Sequence, residues 1–380
     1  MEAALEELLR QEKVARTAEE IDGNALSSIL IQIVDLVRPN THQLCEMVVS
    51  LTKRRRMPKI AIQSMIRRAT EFLDDLPAEN ELLTTLRNVS EGKIHLEIEF
   101  ARLTKRLAAV KEASGDIKAS SSLLQEVQVE TYGSMEKEEK LAFLLEQMRL
   151  LLALGDFIRF SIIAKKVNRK VLDEPTLSRE KVTFLEFMIQ YHVHETQWFE
   201  AAECYRHIFE TSSDVNALQQ MVLHLLFVRF SSEQSDLLRR YSQDERLPES
   251  LLRLVNLVLG AELGSLPDNL PVSEEQHALL TRRVNQHNIR TVQRYYRRVT
   301  LNRLSQLLKL SREVTEEELR DMVSYEGLSA KINRPEGYVV FRKAADTNSV
   351  LNAWGNDVQS LLLKLEEITQ LIQREHILYS

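Results

Sequence analysis

Along most of the chain the apolar positions recur three and four residues apart, and in one place only they switch to every second residue. Residues 1–22 are charged and helix-prone, with Leu5, Leu8 and Leu9 on one side. From 24 to 76 the stripe runs Leu26, Ile29, Leu30, Ile33, Val34, Val37, then Leu44, Met47, Val48 and Leu51. That spacing predicts amphipathic helices, the first ended by Pro39. Met221–Val228 is the most apolar short stretch, interrupted by His224, and predicts a buried helix.

The middle of the chain repeats. Ser114-Gly115-Asp116-Ile117, Leu154-Gly155-Asp156-Phe157 and Thr196-Gln197-Trp198-Phe199 each lie between two apolar helical stretches. Gly115 to Gly155 is 40 positions and Gly155 to Gln197 is 42. Helices are predicted before these turns at 98–112, 138–153 and 181–194, and after them at 119–129, 158–167 and 201–210. A further pair is predicted at 217–230 and 234–241. Glycine supplies a positive φ where one helix stops, and aspartate caps the next. Two helices per period of about 40 residues mark an α-solenoid of the tetratricopeptide or HEAT kind. Stacked units share a core and expose a long surface suited to binding proteins. An irregular helical bundle is the plainer alternative.

The segment 285–341 reads as three short helices and a two-stranded wing. Helices are predicted at 285–299, carrying Tyr295 and Tyr296, at 300–310 with Leu301, Leu304 and Leu308 on one face, and at 315–326. Thr315 and Glu318 would form a capping box. Leu328, Ala330 and Ile332 then alternate with Ser329 and Lys331, residues 333–337 are turn chemistry, and 338–341 returns apolar. This is a winged-helix pattern. A DNA reader would need donors on the third helix. That helix carries Glu316, Glu317, Glu318, Asp321 and Glu326 against Arg320, so protein docking is the better expectation. The exposed sheet edge, with Ala330, Ile332, Tyr338 and Val340, would be the contact.

Residues 260–273, with Gly264, Pro267, Asp268, Asn269 and Pro271, read as a linker, and 345–349 as a polar link. After it, Leu351, Trp354, Val358, Leu361, Leu365, Ile368 and Ile372 are spaced 3, 4, 3, 4, 3, 4. That is an a/d seam over three heptads, which one helix cannot bury alone. Either it folds back on the winged helix or it joins a bundle with helices of other chains, and the second is favoured by its length and position. The predicted organisation is mainly α: an N-terminal helical region (1–80), a solenoid (81–260), a winged helix (272–343) and a C-terminal bundle helix (346–380).

Composition agrees. Among 380 residues, 44% are hydrophobic and 28% charged, with 10 glycines and 8 prolines, few breakers for this length. A net charge of −6 gives no global attraction to nucleic acid or to an anionic membrane. No apolar run reaches about 18 residues, and the first residues lack a signal-peptide layout. Cys45 and Cys204 are expected to be reduced thiols. Lys53-Arg54-Arg55-Arg56 is read as a solvated helix end, with a localisation signal or anionic docking point as the alternative.

The candidate chemistry is thin. His192 and His194 cannot share a helix face at i, i+2, and a zinc isopeptidase would need serine and aspartate where Ala202 and Tyr205 stand. Phosphate-loop, dinucleotide and nucleophile-elbow motifs do not occur. No catalytic, metal or cofactor residues are assigned. Arg282, Arg283, Arg290, Arg294, Arg297, Arg298 and Arg303 are expected to make salt bridges, with Tyr295 and Tyr296 in the core; contact with RNA or phosphate is the alternative.

A solenoid, a winged helix and a terminal bundle helix together resemble the PCI-domain proteins. The runs Glu91-Gly92-Lys93-Ile94, Ala101-Arg102-Leu103-Thr104-Lys105, Gln128-Val129-Glu130-Thr131-Tyr132-Gly133-Ser134-Met135-Glu136-Lys137, Leu145-Glu146-Gln147-Met148-Arg149-Leu150, His287-Asn288-Ile289-Arg290 and Leu351-Asn352-Ala353-Trp354 are similar to PCI lid subunits of the 26S proteasome regulatory particle. The resemblance covers most of the chain from about residue 85. It implies a non-catalytic scaffold without cofactor, in the cytoplasm and nucleus, within a hetero-oligomer. Implied partners are the other lid PCI subunits, the lid deubiquitinase pair, the core particle and the ATPase ring, with neither nucleic acid nor membrane. A PCI subunit of the signalosome or of a translation initiation factor, and a nucleic-acid-binding winged-helix protein, remain as alternatives.

Overall fold

A computed structural model of the protein describes residues 2–17, 22–38, 40–73, 79–266, 273–341 and 347–379. The expected breaks at Pro39, at Pro267, Asp268, Asn269 and Pro271, and at Ala345 and Asp346 lie outside these residues, while Thr347, Asn348 and Ser349, expected in the polar link, are helical. Two compact units divide the chain, Met1–Asp214 and Val215–Ser380. Residues 215–259, counted with the solenoid on sequence grounds, fall in the same unit as the winged helix.

The first unit holds α1 (Glu2–Thr17), α2 (Gly23–Val37), α3 (Thr41–Lys53), α4 (Lys59–Glu71), α5 (Glu79–Ser90), α6 (Glu97–Ala113), α7 (Ile117–Gln125), α8 (Lys137–Leu154), α9 (Phe157–Lys166), α10 (Arg169–Leu172), α11 (Ser178–His194) and α12 (Trp198–Ser212). The apolar stripes of α2 to α6 close into one core running from Leu26 to Leu107. Farther on, α6 packs on α7, α7 on α8, α8 on both α9 and α11, and α11 on α12. Arg102 pairs with Glu139 at 2.6 Å, and Glu112 with Arg149 at 2.6 Å. These two ion pairs join both ends of α6 to the matching ends of α8, so the first helices of successive repeats run parallel and in register.

The turns explain the repeat. Gly115, Gly155 and Thr196 all adopt positive φ, at 87°, 72° and 57°. Each donates to the carbonyl three residues back, and the next residue donates five back: Asp116 to Lys111, Asp156 to Leu151, Gln197 to His192. This is the same helix-ending motif three times. Asp116 and Asp156 then cap α7 and α9. The third repeat is registered one residue earlier than the sequence suggests, because Thr196 and not Gln197 holds the left-handed conformation. A threonine there hides the glycine signal.

The second unit begins with α13 (Val215–Phe227), α14 (Ser232–Tyr241) and α15 (Glu249–Leu259), and α16 follows at Glu274–Tyr295. His224 is buried in α13, with Nδ1–H donating to the Gln220 carbonyl at 2.8 Å. The winged helix continues with β1 (Arg298–Thr300), α17 (Leu301–Leu308), α18 (Arg312–Tyr325), β2 (Ala330–Asn333) and β3 (Tyr338–Phe341), and the chain ends in α19 (Thr347–Tyr379). Its core gathers Ile289, Val292, Val299, Leu301, Leu304, Leu308, Leu319, Met322, Leu328, Val339 and Phe341.

Three local expectations change. The sheet has three strands in the order β1-β3-β2, where two were expected. A three-residue strand with a single apolar position, Val299, carries no readable alternation. The third helix starts at Arg312, capped by Ser311, whose hydroxyl accepts from the Val314 N–H. Thr315 is buried inside it, bonded back to the Ser311 carbonyl at 2.8 Å, so there is no Thr315–Glu318 capping box. Tyr295 and Tyr296 are exposed, not in the core. The helix ends at Tyr295 and turns into β1, which carries Tyr296 off the face that Ile289 and Val292 bury.

Candidate docking surfaces

The seam of α19 is open to solvent. Every residue of that helix whose burial is described is exposed, including Leu351, Trp354, Val358, Leu361, Leu365, Ile368 and Ile372. Leu362, Leu363 and Leu371 widen the strip. Thirty-three residues of helix span about 50 Å at 1.5 Å each. The fold-back onto the winged helix is not the arrangement present. Contiguous exposed apolar strips of this length are uncommon on soluble monomers.

The four wing residues expected together at one sheet edge do not share it. Ala330 and Ile332 lie on β2, an edge strand, but stand opposite Phe341 and Val339 and pack against the core. Tyr338 and Val340 lie on β3, the central strand, paired on both sides. Their side chains occupy the opposite face, with Lys331, Asn333 and Arg298. Arg298 stacks over the Tyr338 ring at 3.5 Å, and Asn333 Nδ2 donates to the Tyr338 hydroxyl at 3.1 Å. The β2 backbone thus offers an edge, and the outer face offers a shallow depression lined by Lys331, Asn333, Tyr338 and Val340. The apolar run 338–341 carries no alternation that assigns its faces, and only the cross-strand register and strand order separate Ala330 and Ile332 from Tyr338 and Val340.

The arginine cluster divides. Arg282 pairs with Glu318 at 3.0 Å and Asp321 at 2.7 Å, while Arg283 and Arg290 share the nearly buried Glu326 carboxylate. Arg334 reaches Glu316 at 2.6 Å. Glu316, Glu318, Asp321 and the C-capping Glu326 of α18 are thereby held by arginines of the same module. Burial pulls Arg283 down to about 10, against the opposing pull of Glu326, so it stays cationic at neutral pH. Arg294 and Arg297, by contrast, are exposed and make no ion pair among the described residues.

The run His287-Asn288-Ile289-Arg290 turns four side chains to four neighbours. His287 bonds the Glu262 backbone, and Ile289 fills the core. Asn288 Nδ2 donates to the Gly264 carbonyl at 2.9 Å while its Oδ1 accepts from the Gly264 N–H at 3.1 Å. Arg290 stacks over Phe230 at 4.4 Å besides its ion pair. A Cβ on Gly264 would come within 2.2 Å of Leu257 Cδ1 and 2.6 Å of its Cγ, so a side chain there would have to displace that leucine. This clamp holds the start of the expected linker against α16, and nothing in the local pattern announced it.

Elsewhere the candidate groups are engaged separately. His192 Nδ1 bonds Gln197 Oε1 at 2.8 Å, whereas His194 stacks on Phe157 at 3.6 Å. Among the described residues no group of His, Cys, Asp and Glu is arranged to hold a metal ion. Cys45 and Cys204 are free, and burial pushes the Cys204 thiol up to about 12, leaving it a poor nucleophile. In the basic run, Arg54 pairs with the buried Glu12 carboxylate and the Arg55 carbonyl accepts from Arg16 at 3.0 Å. Those two positions tie α1 to the end of α3. No described helix is long and apolar enough to cross a membrane.

Three family models match: PSMD12/CSN4, N-terminal, over residues 3–216; the PCI domain, over 270–343; and the 26S proteasome regulatory subunit RPN5 C-terminal domain, over 348–380. The chain is similar over its length to the 26S proteasome non-ATPase regulatory subunit 12 of Dictyostelium discoideum, at 36% identity covering 99% of this chain and 90% of that protein. It is 34% identical to subunit 12 homolog A of Arabidopsis thaliana, over 100% and 97% of the two chains. It is 32% identical to the regulatory subunit RPN5 of Saccharomyces cerevisiae, over 99% and 92%.

Proposed function

This chain belongs to the family of 26S proteasome non-ATPase regulatory subunit 12, and from that premise we propose that it is a non-catalytic structural subunit of the proteasome lid. In this role it supports ubiquitin-dependent protein degradation by holding other subunits in place. The observation that carries the reading is the uncovered seam of α19. Each leucine or isoleucine there contributes about 1.5–3 kcal/mol when fully covered, and helices from fellow lid subunits are the partners a heptad seam fits.

The winged helix adds a second contact. The free backbone edge of β2 and the outer-face residues Tyr338 and Val340 meet neighbouring PCI subunits, while Ala330 and Ile332 set the edge strand from behind. The solenoid surface of the first unit reaches the core particle and the ATPase ring, and the lid deubiquitinase pair completes the assembly. The protein works in the cytoplasm and nucleus. Its relatives are named as regulatory subunits, and the chemistry of the lid belongs to another chain.

The test is the double substitution Leu361→Asp and Leu365→Asp in the full chain, expressed in cells with the wild-type copy tagged separately. The variant is expected to keep its helical content and to be absent from affinity-purified proteasomes. Normal incorporation would remove the bundle reading.

A further inference from the structure

On α9 two isoleucines face outward. Ile158 and Ile162 stand one turn apart on the same side and are 78% and 53% exposed, while Phe160 and Ile163 fill the core beneath them. Lys165 continues the same stripe, three positions beyond Ile162. Past Val167 the chain restarts as α10, with Arg169 and Lys170 exposed at its first two positions. Two cations of this segment are engaged: Arg159 by Asp156 at 3.4 Å, Lys166 by Glu130 at 2.6 Å. The side chains of Lys165, Arg169 and Lys170 make no ion pair among the described residues.

We propose that the exposed stripe of α9, Ile158, Ile162 and Lys165, together with the cations that follow it in the chain, is a docking site for an acidic polypeptide segment that carries aliphatic side chains one helical turn apart. Two properties of the face select that occupant. Lys165 on the isoleucine stripe, with Arg169 and Lys170 following within five residues of it in the chain, is complementary to carboxylates flanking an apolar pair. The isoleucines offer no ring for base stacking, so a nucleic-acid strand would satisfy the cations and leave the apolar pair in water. A helix of ten residues with two outward isoleucines is also far smaller than the apolar face of a membrane-surface helix. This site is independent of α19 and of the wing.

The probe is a fluorescein-labelled synthetic helical peptide of about 16 residues, rich in glutamate with leucines at i and i+4. Anisotropy is read against the full chain carrying Leu361→Asp and Leu365→Asp, which keeps the α19 seam from taking the peptide. Binding that weakens as salt rises is expected. Exchanging the peptide's leucines for glutamine, or introducing Ile158→Ser with Ile162→Ser, is expected to weaken it about tenfold. The changes Lys165→Glu, Arg169→Glu and Lys170→Glu together are expected to abolish it. Absence of binding by the parent chain, or binding indifferent to either set of substitutions, overturns the proposal. Retention of single-stranded oligouridylate or phosphatidylserine vesicles that the same substitutions abolish also overturns it, by assigning the face to another class of partner.

Discussion

Asn288 shows how much one side chain in a winged-helix module can hold. Both its hydrogen bonds go to the backbone of Gly264, and both are buried or half-buried. Asn288→Ala is expected to cost about 1–3 kcal/mol because it strands a donor and an acceptor. Asn288→Asp is expected to cost at least as much, since a carboxylate oxygen would then face the Gly264 carbonyl; urea unfolding of both variants measures this. Two buried imidazoles set a pH dependence. Burial, then the charges of Arg290 and Arg294, hold His287 below its ordinary 6.5, with the Glu262 backbone pulling the other way. Burial does the same to His224, opposed by the Gln220 carbonyl. Both residues therefore stay neutral in the fold while titrating near their ordinary value when unfolded. Below pH 6.5 the unfolded chain binds protons first, and stability falls until the folded-state values are passed. The melting temperature is expected to decline as pH is lowered through that window, and less steeply in His224→Gln.

At the scale of the element, the helix-ending turns and the last helix behave differently. Gly155 holds φ 72° without strain, whereas Thr196 holds 57° with a branched side chain. Left-handed backbone at a β-branched residue costs about 1–3 kcal/mol, offset in a glycine by about 0.4–1 kcal/mol of extra unfolded-state entropy. Thr196→Gly is thus expected to stabilise the first unit by about 1 kcal/mol, and Gly155→Ala to destabilise it by about the same amount. Urea midpoints of the two variants decide. The α19 helix draws nothing from tertiary packing here, so Leu361→Asp with Leu365→Asp is expected to shift the thermal unfolding of the remainder by less than about 0.5 kcal/mol equivalent. A large shift would mean that the seam is covered within the chain.

For the molecule as a whole, an uncovered apolar strip means that the full chain alone is expected to self-associate at micromolar concentration. Ending it before Thr347 is expected to give a monodisperse monomer, as read by light scattering after gel filtration. The repeat period, the helical stripes, the winged-helix order and the α19 seam were all legible in the sequence, because each is set by residues close in the chain: turn chemistry, capping and apolar spacing. The resemblance of the runs from Glu91 to Trp354 likewise needed no coordinates. What the sequence left open was decided by contacts between distant residues. Strand order placed Tyr338 and Val340 at the centre of the sheet and made β1 a second edge. Charge pairing across helices separated Arg282, Arg283 and Arg290, which are spent on α18, from Arg294 and Arg297, which are not. The turn into β1 exposed Tyr295 and Tyr296, and the helix start at Ser311 put Thr315 inside. Local pattern fixes which face of an element is apolar; which neighbour covers that face, or whether any does, depends on where the rest of the chain is packed.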